Sequence, residues 1–343
     1  MTQHFNYYPP QPPPQPGVVP LRPLDVGAVI GGSLKAIFRN WQAALLLPFG
    51  LYLGVSIVGG LAAIKPFRSM GAAIEDHRGL SSGAIWGVVI VSVVGIALTV
   101  AATLIVQTAT TVVVSRAVLG RGTSIGQALR AARPRMLPML GLDILITLMF
   151  LALLLIPFGV IAGCVALAVS GEHDAAAVLL GVLGFLLLLV AAGFGIYFGV
   201  SFTVAPSALI LESVPGPTAL RRSRSLVRDN WWRTLGIPLL AGLMAGLAGY
   251  VVQLPITGIR YTQLPHTADP NQTFDTTFSP TLLVVSFVLS AAVSAFTQPF
   301  MIAVGTLLYH DLRIRKESFH VPLLQMSQLP DDLGPRSPGG GWS

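Results

Sequence analysis

Residues 218–237 read TALRRSRSLVRDNWWRTLGI. A turn-forming VPGP at 214–217 precedes the stretch, and an apolar run follows it. On a helix, Leu220, Val227 and Trp231 fall on one stripe, and Arg221, Arg224 and Arg228 on the neighbouring one. Arg222 adds to the charge, and Trp231 and Trp232 stand where a membrane interface is expected. This is the pattern of an amphipathic helix lying on a membrane and feeding a transmembrane helix.

The composition agrees. The chain has 343 residues, of which 53% are hydrophobic and only 10% charged. A water-solvated surface needs about a quarter charged residues. The shortfall is explained if lipid covers most of this protein, and apolar runs of twenty or more residues require it. The net charge of +7 is carried by arginines that flank those runs, so it argues for membrane orientation and not for nucleic acid. The single cysteine, Cys164, lies inside an apolar run and excludes both an internal disulfide and a cysteine metal cluster.

In chain order, residues 1–23 hold eight of the 26 prolines and read as a disordered cytoplasmic arm, a tether or a ligand for a partner domain. Asp25 caps a first amphipathic helix with Val26, Ile30, Ser33, Ile37 and Trp41 on one face and Lys35 and Arg39 off it. Six apolar segments follow, at about 42–64, 84–118, 137–170, 176–211, 233–257 and 281–310. Polar loops are expected at 65–83 and 258–280, and a disordered cytoplasmic tail at 319–343. Pro48, Pro157 and Pro206 are candidate kinks, and Gly50 with Gly54 forms a GxxxG pair. A basic amphipathic stretch, GRGTSIGQALRAARPRM at 120–136, carries Arg130 and Arg133.

Charge counting sets the topology. Seventeen of the 21 lysines and arginines belong to the N-terminal region, residues 116–135, residues 221–233 and the C-terminal tail. Only Lys65, Arg68, Arg78 and Arg260 fall on the opposite side. This places both termini in the cytoplasm of a multi-pass plasma-membrane protein. The basic stretches recur: Ser33, Ala128 and Ser223 are spaced by 95 residues, as are Asn40, Arg135 and Asn230, and Trp41, Met136 and Trp231. The expected fold is an all-α polytopic bundle of six transmembrane helices and three interfacial amphipathic helices. They fall in three parallel repeats, about 24–119, 120–213 and 214–318, within a membrane domain at 24–318.

PGVVPLRPLDVGAVIGGSLKAIFRNW (16–41), ALRRSRSLVRDNWWRTLGI (219–237) and LLYHDLRIRKES (307–318) resemble blocks of the glycerophosphoryl diester phosphodiesterase membrane-domain group of actinobacterial proteins. The likeness spans about 16–320 and implies a stand-alone membrane bundle. Some members of that group carry a separate catalytic barrel, but here apolar segments fill 42–310.

Polar residues inside the apolar runs are few. Asp143 lies about two turns into the third segment and reads as an ion-pair partner of Arg133 or Arg135, a snorkelling edge residue, or a proton or ion site. Gln107, Gln253 and Gln298 are candidates for hydrogen bonds between helices or for a polar seam. The block YHDLRIRKE at 309–317 reads as a solvated helical extension pairing with basic helices. The six histidines are scattered, and no HExxH, GxSxG, P-loop or paired-carboxylate motif occurs. No enzymatic activity, cofactor or metal is therefore expected. The sequence points to a scaffold or accessory in envelope or lipid processes, whose basic collar contacts anionic headgroups or an unidentified protein partner. The alternatives are a transporter or lipid-handling channel, and an accessory of glycerophosphodiester metabolism. The plainer reading of the basic helices, as topology anchors that hold the bundle upright, is the preferred one.

Overall fold

The structure is a computed structural model and describes residues 17–20, 22–75, 82–170, 174–263 and 280–317. All regular structure among them is helical. In order, the helices are α1 (Val26–Arg39), α2 (Leu47–Glu75), α3 (Ser82–Val118), α4 (Ile125–Ala132), α5 (Met136–Ser170), α6 (Asp174–Phe202), α7 (Ala205–Glu212), α8 (Gly216–Val227), α9 (Trp231–Gln263) and α10 (Pro280–Glu317). Six segments are long and apolar enough to cross a membrane: α2, α3, α5, α6 with α7, α9 and α10 supply them. The protein is a polytopic membrane bundle.

Local chemistry sets the helix limits. Asp25 accepts the Ala28 N–H at 2.6 Å and starts α1. Ser124 and Gln127 form a capping box at the start of α4. At the end of α3, Gly120 takes a positive φ of 82°, and Arg121 N–H and Gly120 N–H bond back to the carbonyls of Arg116 and Ala117. That closure is a Schellman motif, and it needs glycine at the left-handed position. Each of α1, α4 and α8 then passes into a long apolar helix through a short non-α segment. The π-turn Gln42–Leu46 precedes Pro48, the 3-10 turn Arg133–Arg135 contains Pro134, and the 3-10 turn Arg228–Asn230 contains no proline.

The fourth apolar run breaks where Pro206 removes a backbone donor. It becomes α6 and α7, joined by a turn at Thr203–Val204. The carbonyl of Ser201, freed by that break, accepts the Ser223 hydroxyl at 2.7 Å. The break therefore makes the seat for α8.

The spans pack as α2 with α3, α5 with α6, and α9 with α10, while α2 and α3 also pack on α10. The short helices bridge these pairs: α4 lies on α3, α8 on α6 and α7, and α1 on α10. The main core gathers at the end of the bundle where the short helices lie, from Val29 and Ile37 through Val113, Met139, Leu142, Leu226, Leu307 and Leu312. Away from it the helices expose a wide apolar wall, including Ile90, Ile96, Leu151, Leu155, Leu186 and Leu247. In water such a surface would drive aggregation. Acyl chains are its natural solvent.

Several expectations need correction. Residues 17–23 are not all a free arm: Val18 and Val19 are buried, and the Val18 N–H donates to the Ala117 carbonyl at 3.2 Å. Two β-branched side chains in a short Pro-flanked segment are enough to dock it. Residues 1–16 and 21 of the arm and the tail 319–343 lie outside the described residues. The expected loop at 65–83 is helical as far as Glu75, and α9 runs on to Gln263. Both helices run on through a proline, Pro66 in α2 and Pro255 in α9. Gly50 and Gly54 make no close contact, since a Cβ on either would meet nothing within 4 Å. The close approach is at Gly60, where a Cβ would overlap the Phe287 ring of α10.

Candidate functional site: a charged clamp and a basic collar

The helix end bearing YHDLRIRKE is not a solvated extension. Tyr309, His310 and Asp311 are buried, and each turn of the helix aims its charges at a different neighbour. The period of 3.6 residues places Asp311 with Arg315 on one side, and Tyr309, Arg313 and Lys316 on another.

On the first side, Asp311 is fully buried and accepts three bonds. They come from Leu24 N–H at 2.7 Å, Arg233 Nε at 3.0 Å and Arg315 Nε at 3.0 Å. Arg315 Nη2 donates to the Leu24 carbonyl at 2.9 Å, and Arg233 Nη2 donates to the same carbonyl. One carboxylate thus ties the entry to α1, the start of α9 and the end of α10. On the second side, the Tyr309 hydroxyl donates to Glu212 at 2.6 Å, and Arg313 pairs with Glu317 at 2.9 Å. Arg222 bridges Glu212 at 3.1 Å and Glu317. Lys316 pairs with Asp229 at 2.6 Å and donates to the Ser225 carbonyl. His310 takes no part, since its Nδ1 donates to the Thr306 carbonyl of its own helix at 2.8 Å.

The basic residues singled out in the sequence divide into two classes. Arg222 belongs to the clamp, so it is held by carboxylates and is not offered to headgroups. Arg221, Arg224 and Arg228 are exposed on α8 and the turn after it, Lys35 and Arg39 on α1, and Arg130 and Arg133 at α4. Arg39 donates to the Gly120 carbonyl, and Arg224 donates to the Tyr197 hydroxyl at 3.3 Å. Trp41 and Trp232 are exposed, and Trp231 is half-buried and meets Trp232 edge to face at 4.8 Å between ring centroids.

Much of the apolar face of each short helix meets protein. Ala219, Ser223, Leu226 and Val227 of α8 are buried, as are Val29, Ser33, Ala36 and Ile37 of α1 and Ala128 and Ala132 of α4. Small side chains dominate these faces because the helices lie close to their neighbours. Asn40 completes the joint between α1 and α4, accepting the Thr123 N–H at 2.9 Å and donating to the Ala36 carbonyl at 3.0 Å.

Asp143 is half-buried and forms no ion pair with Arg133 or Arg135 among the described residues. Arg135 instead donates to the Ala131 carbonyl at 2.7 Å, on its own helical ladder. Gln107 is half-buried and Gln298 exposed, and neither makes a side-chain bond between helices among the described residues. No group of three or more His, Cys, Asp or Glu side chains able to hold a metal ion occurs among the described residues. The sequence could not reveal the role of Arg233, which stands just outside the amphipathic stripe, because its partner Asp311 is 78 residues away.

A family model described as a domain of unknown function, DUF7847, matches residues 24–312. The chain belongs to the DUF7847 family. The matched part of DUF7847 begins at Leu24 and ends at Leu312, so it contains both the Leu24 anchor and the Asp311 carboxylate of the clamp. The DUF7847 description names neither a reaction nor a phosphodiesterase. No curated protein and no solved structure matches the chain.

Proposed function

We propose that this DUF7847 protein is a non-enzymatic scaffold or accessory of the plasma membrane, acting in envelope or lipid processes through a basic collar that binds anionic headgroups. One observation carries the reading. Lys35, Arg130, Arg133, Arg221 and Arg228 are exposed and have no hydrogen-bond or ion-pair partner among the described residues. They belong to three separate short helices and the turns that follow them, while Glu212, Asp229, Asp311 and Glu317 at the same end are already engaged. Near an anionic surface each such cation is worth about 1 kcal/mol.

In this reading both termini are cytoplasmic, because the collar is the positively charged side. The 95-residue step makes three parallel units, each a short helix at the interface and two spans. The packing supports a ring of such units: α4 lies on the second span of the first unit, α8 on that of the second, and α1 on that of the third. The alternatives are a transporter or lipid-handling channel and, on the sequence likeness alone, an accessory of glycerophosphodiester metabolism.

Native mass spectrometry of the protein extracted from membranes tests the reading. Replacing the five free basic residues with alanine should deplete retained anionic lipid, and Asp143→Asn should not. Unchanged retention in the fivefold variant refutes the collar. A flux across proteoliposomes that Asp143→Asn alone abolishes refutes the scaffold in favour of a transporter. In a Cys164→Ser background, periplasmic labelling of a cysteine placed near position 125 would overturn the topology.

A further inference from the structure

The collar is not uniform. On α8, Arg221, Arg224 and Arg228 lie three and four residues apart and face outward together, since Arg222 is turned away into the clamp. The one carboxylate in this stretch, Asp229, is engaged by Lys316. The trio therefore carries three positive charges against one shared carboxylate, since Asp229 is paired with Lys316 while it also interacts with Arg228.

Beneath the trio lies the end of α6. The Ser223 bond to the Ser201 carbonyl holds α8 there. Arg224 sits 6.0 Å from the Tyr197 ring centroid, with its Nη2 3.3 Å from the Tyr197 hydroxyl. That contact orients one guanidinium in advance, so less side-chain entropy is lost when it binds an anion. Around Tyr197 the helix carries an aromatic ladder: Phe194, Phe198 and Phe202 stack at centroid distances of 6.3 and 5.8 Å, with Phe194 about a turn deeper in the span and Phe202 at the collar end of α6. Phe194 is 52% exposed, so the ladder opens onto the apolar wall. On the other side, Trp232 is 79% exposed, one turn beyond Arg228. Tyr and Trp mark the headgroup level of a bilayer.

From the span outward, the corner presents the exposed wall with Phe194, then Tyr197, the rest of the ladder and Trp232 at the interface, and the guanidiniums of Arg221, Arg224 and Arg228 above. We infer that the corner of α6 and α8 is a specific site for one anionic glycerophospholipid. Its phosphodiester lies among Arg221, Arg224 and Arg228, and an acyl chain lies along Phe194 and the exposed face of α6 below it. Guanidinium suits the phosphate because it offers paired N–H donors in a plane. The inference rests on the collar reading and adds that the lipid is held at one corner and not spread around the ring.

The test is native mass spectrometry of the full chain in micelles, titrated with phosphatidylglycerol or phosphatidylcholine. The wild type should retain one phosphatidylglycerol in preference to phosphatidylcholine. Arg221/Arg224/Arg228→Gln should weaken that adduct on the order of a hundredfold, and Lys35/Arg130/Arg133→Gln by less than about threefold. If the triple variant does not accumulate, Arg224→Gln alone should cost about fivefold. Equal losses in the two triple variants would leave the collar standing and overturn the single site. No loss in either, or no preference for phosphatidylglycerol, would overturn both.

Discussion

Asp311→Asn is the substitution that asks most of the structure. The side chain is fully buried, and its two oxygens meet three donors: Leu24 N–H, Arg233 Nε and Arg315 Nε. Asparagine has nearly the same volume but offers one acceptor and one donor. Either way the amide is turned, its NH₂ faces an N–H that needs an acceptor. A bond to a charged group contributes about 1.5–3 kcal/mol, and two or more are lost. The side chains of Arg233 and Arg315 remain 22% and 31% exposed, so water recovers part of the loss. The net expectation is about 3 kcal/mol, or roughly 6 °C in melting temperature on the scaling for larger domains. Melting of the purified protein in micelles, followed by tryptophan fluorescence, reads this directly. A double-mutant cycle of Asp311→Asn with Arg233→Gln should return a coupling of about 1.5 kcal/mol, because the residues share a contact. Hydrogen exchange should rise at the first turn of α1, which the Leu24 bonds hold. A melting shift under about 1 °C with negligible coupling would refute the clamp as the joint between α1, α9 and α10.

Two further substitutions test the packing. Gly60→Leu should destabilise the protein by about 1–3 kcal/mol and expose the α2–α10 contact, whereas Gly50→Ala and Gly54→Ala should not destabilise it, since a Cβ there meets nothing and alanine favours the helix. The same melting assay separates them, and destabilisation at Gly54 would contradict the observed spacing. Ser223→Ala leaves the Ser201 carbonyl without its donor and should cost about 1–2 kcal/mol. A neutral result there would mean that the α6 break does not hold α8.

Much of the architecture was legible without coordinates because the bilayer imposes a length and a polarity on every span. The six apolar runs, the Asp25 cap and the interruption near Pro206 all followed from local rules of this kind, since each depends on residues within a few positions. The basic stretches were equally visible, but their apolar faces were assigned to lipid. That choice could not be made from periodicity, because a stripe of Ala, Ser and Leu suits acyl chains and a neighbouring helix alike. Ser223, Ala128 and Ser33 are small because protein lies against them, which only the packing shows.

What the sequence determined by itself was membrane residence, the number of spans and the clustering of positive charge, all properties of composition along the chain. What tertiary structure decided was which charges are used up inside the molecule. Residues 218–237 hold five arginines of similar local character. Folding sends Arg222 to Glu212 and Glu317, Arg233 to Asp311, and leaves Arg221, Arg224 and Arg228 facing outward. The physical reason is that an ion pair depends on distance in space, and the carboxylates that distinguish one arginine from the next arrive from up to 95 residues away along the chain.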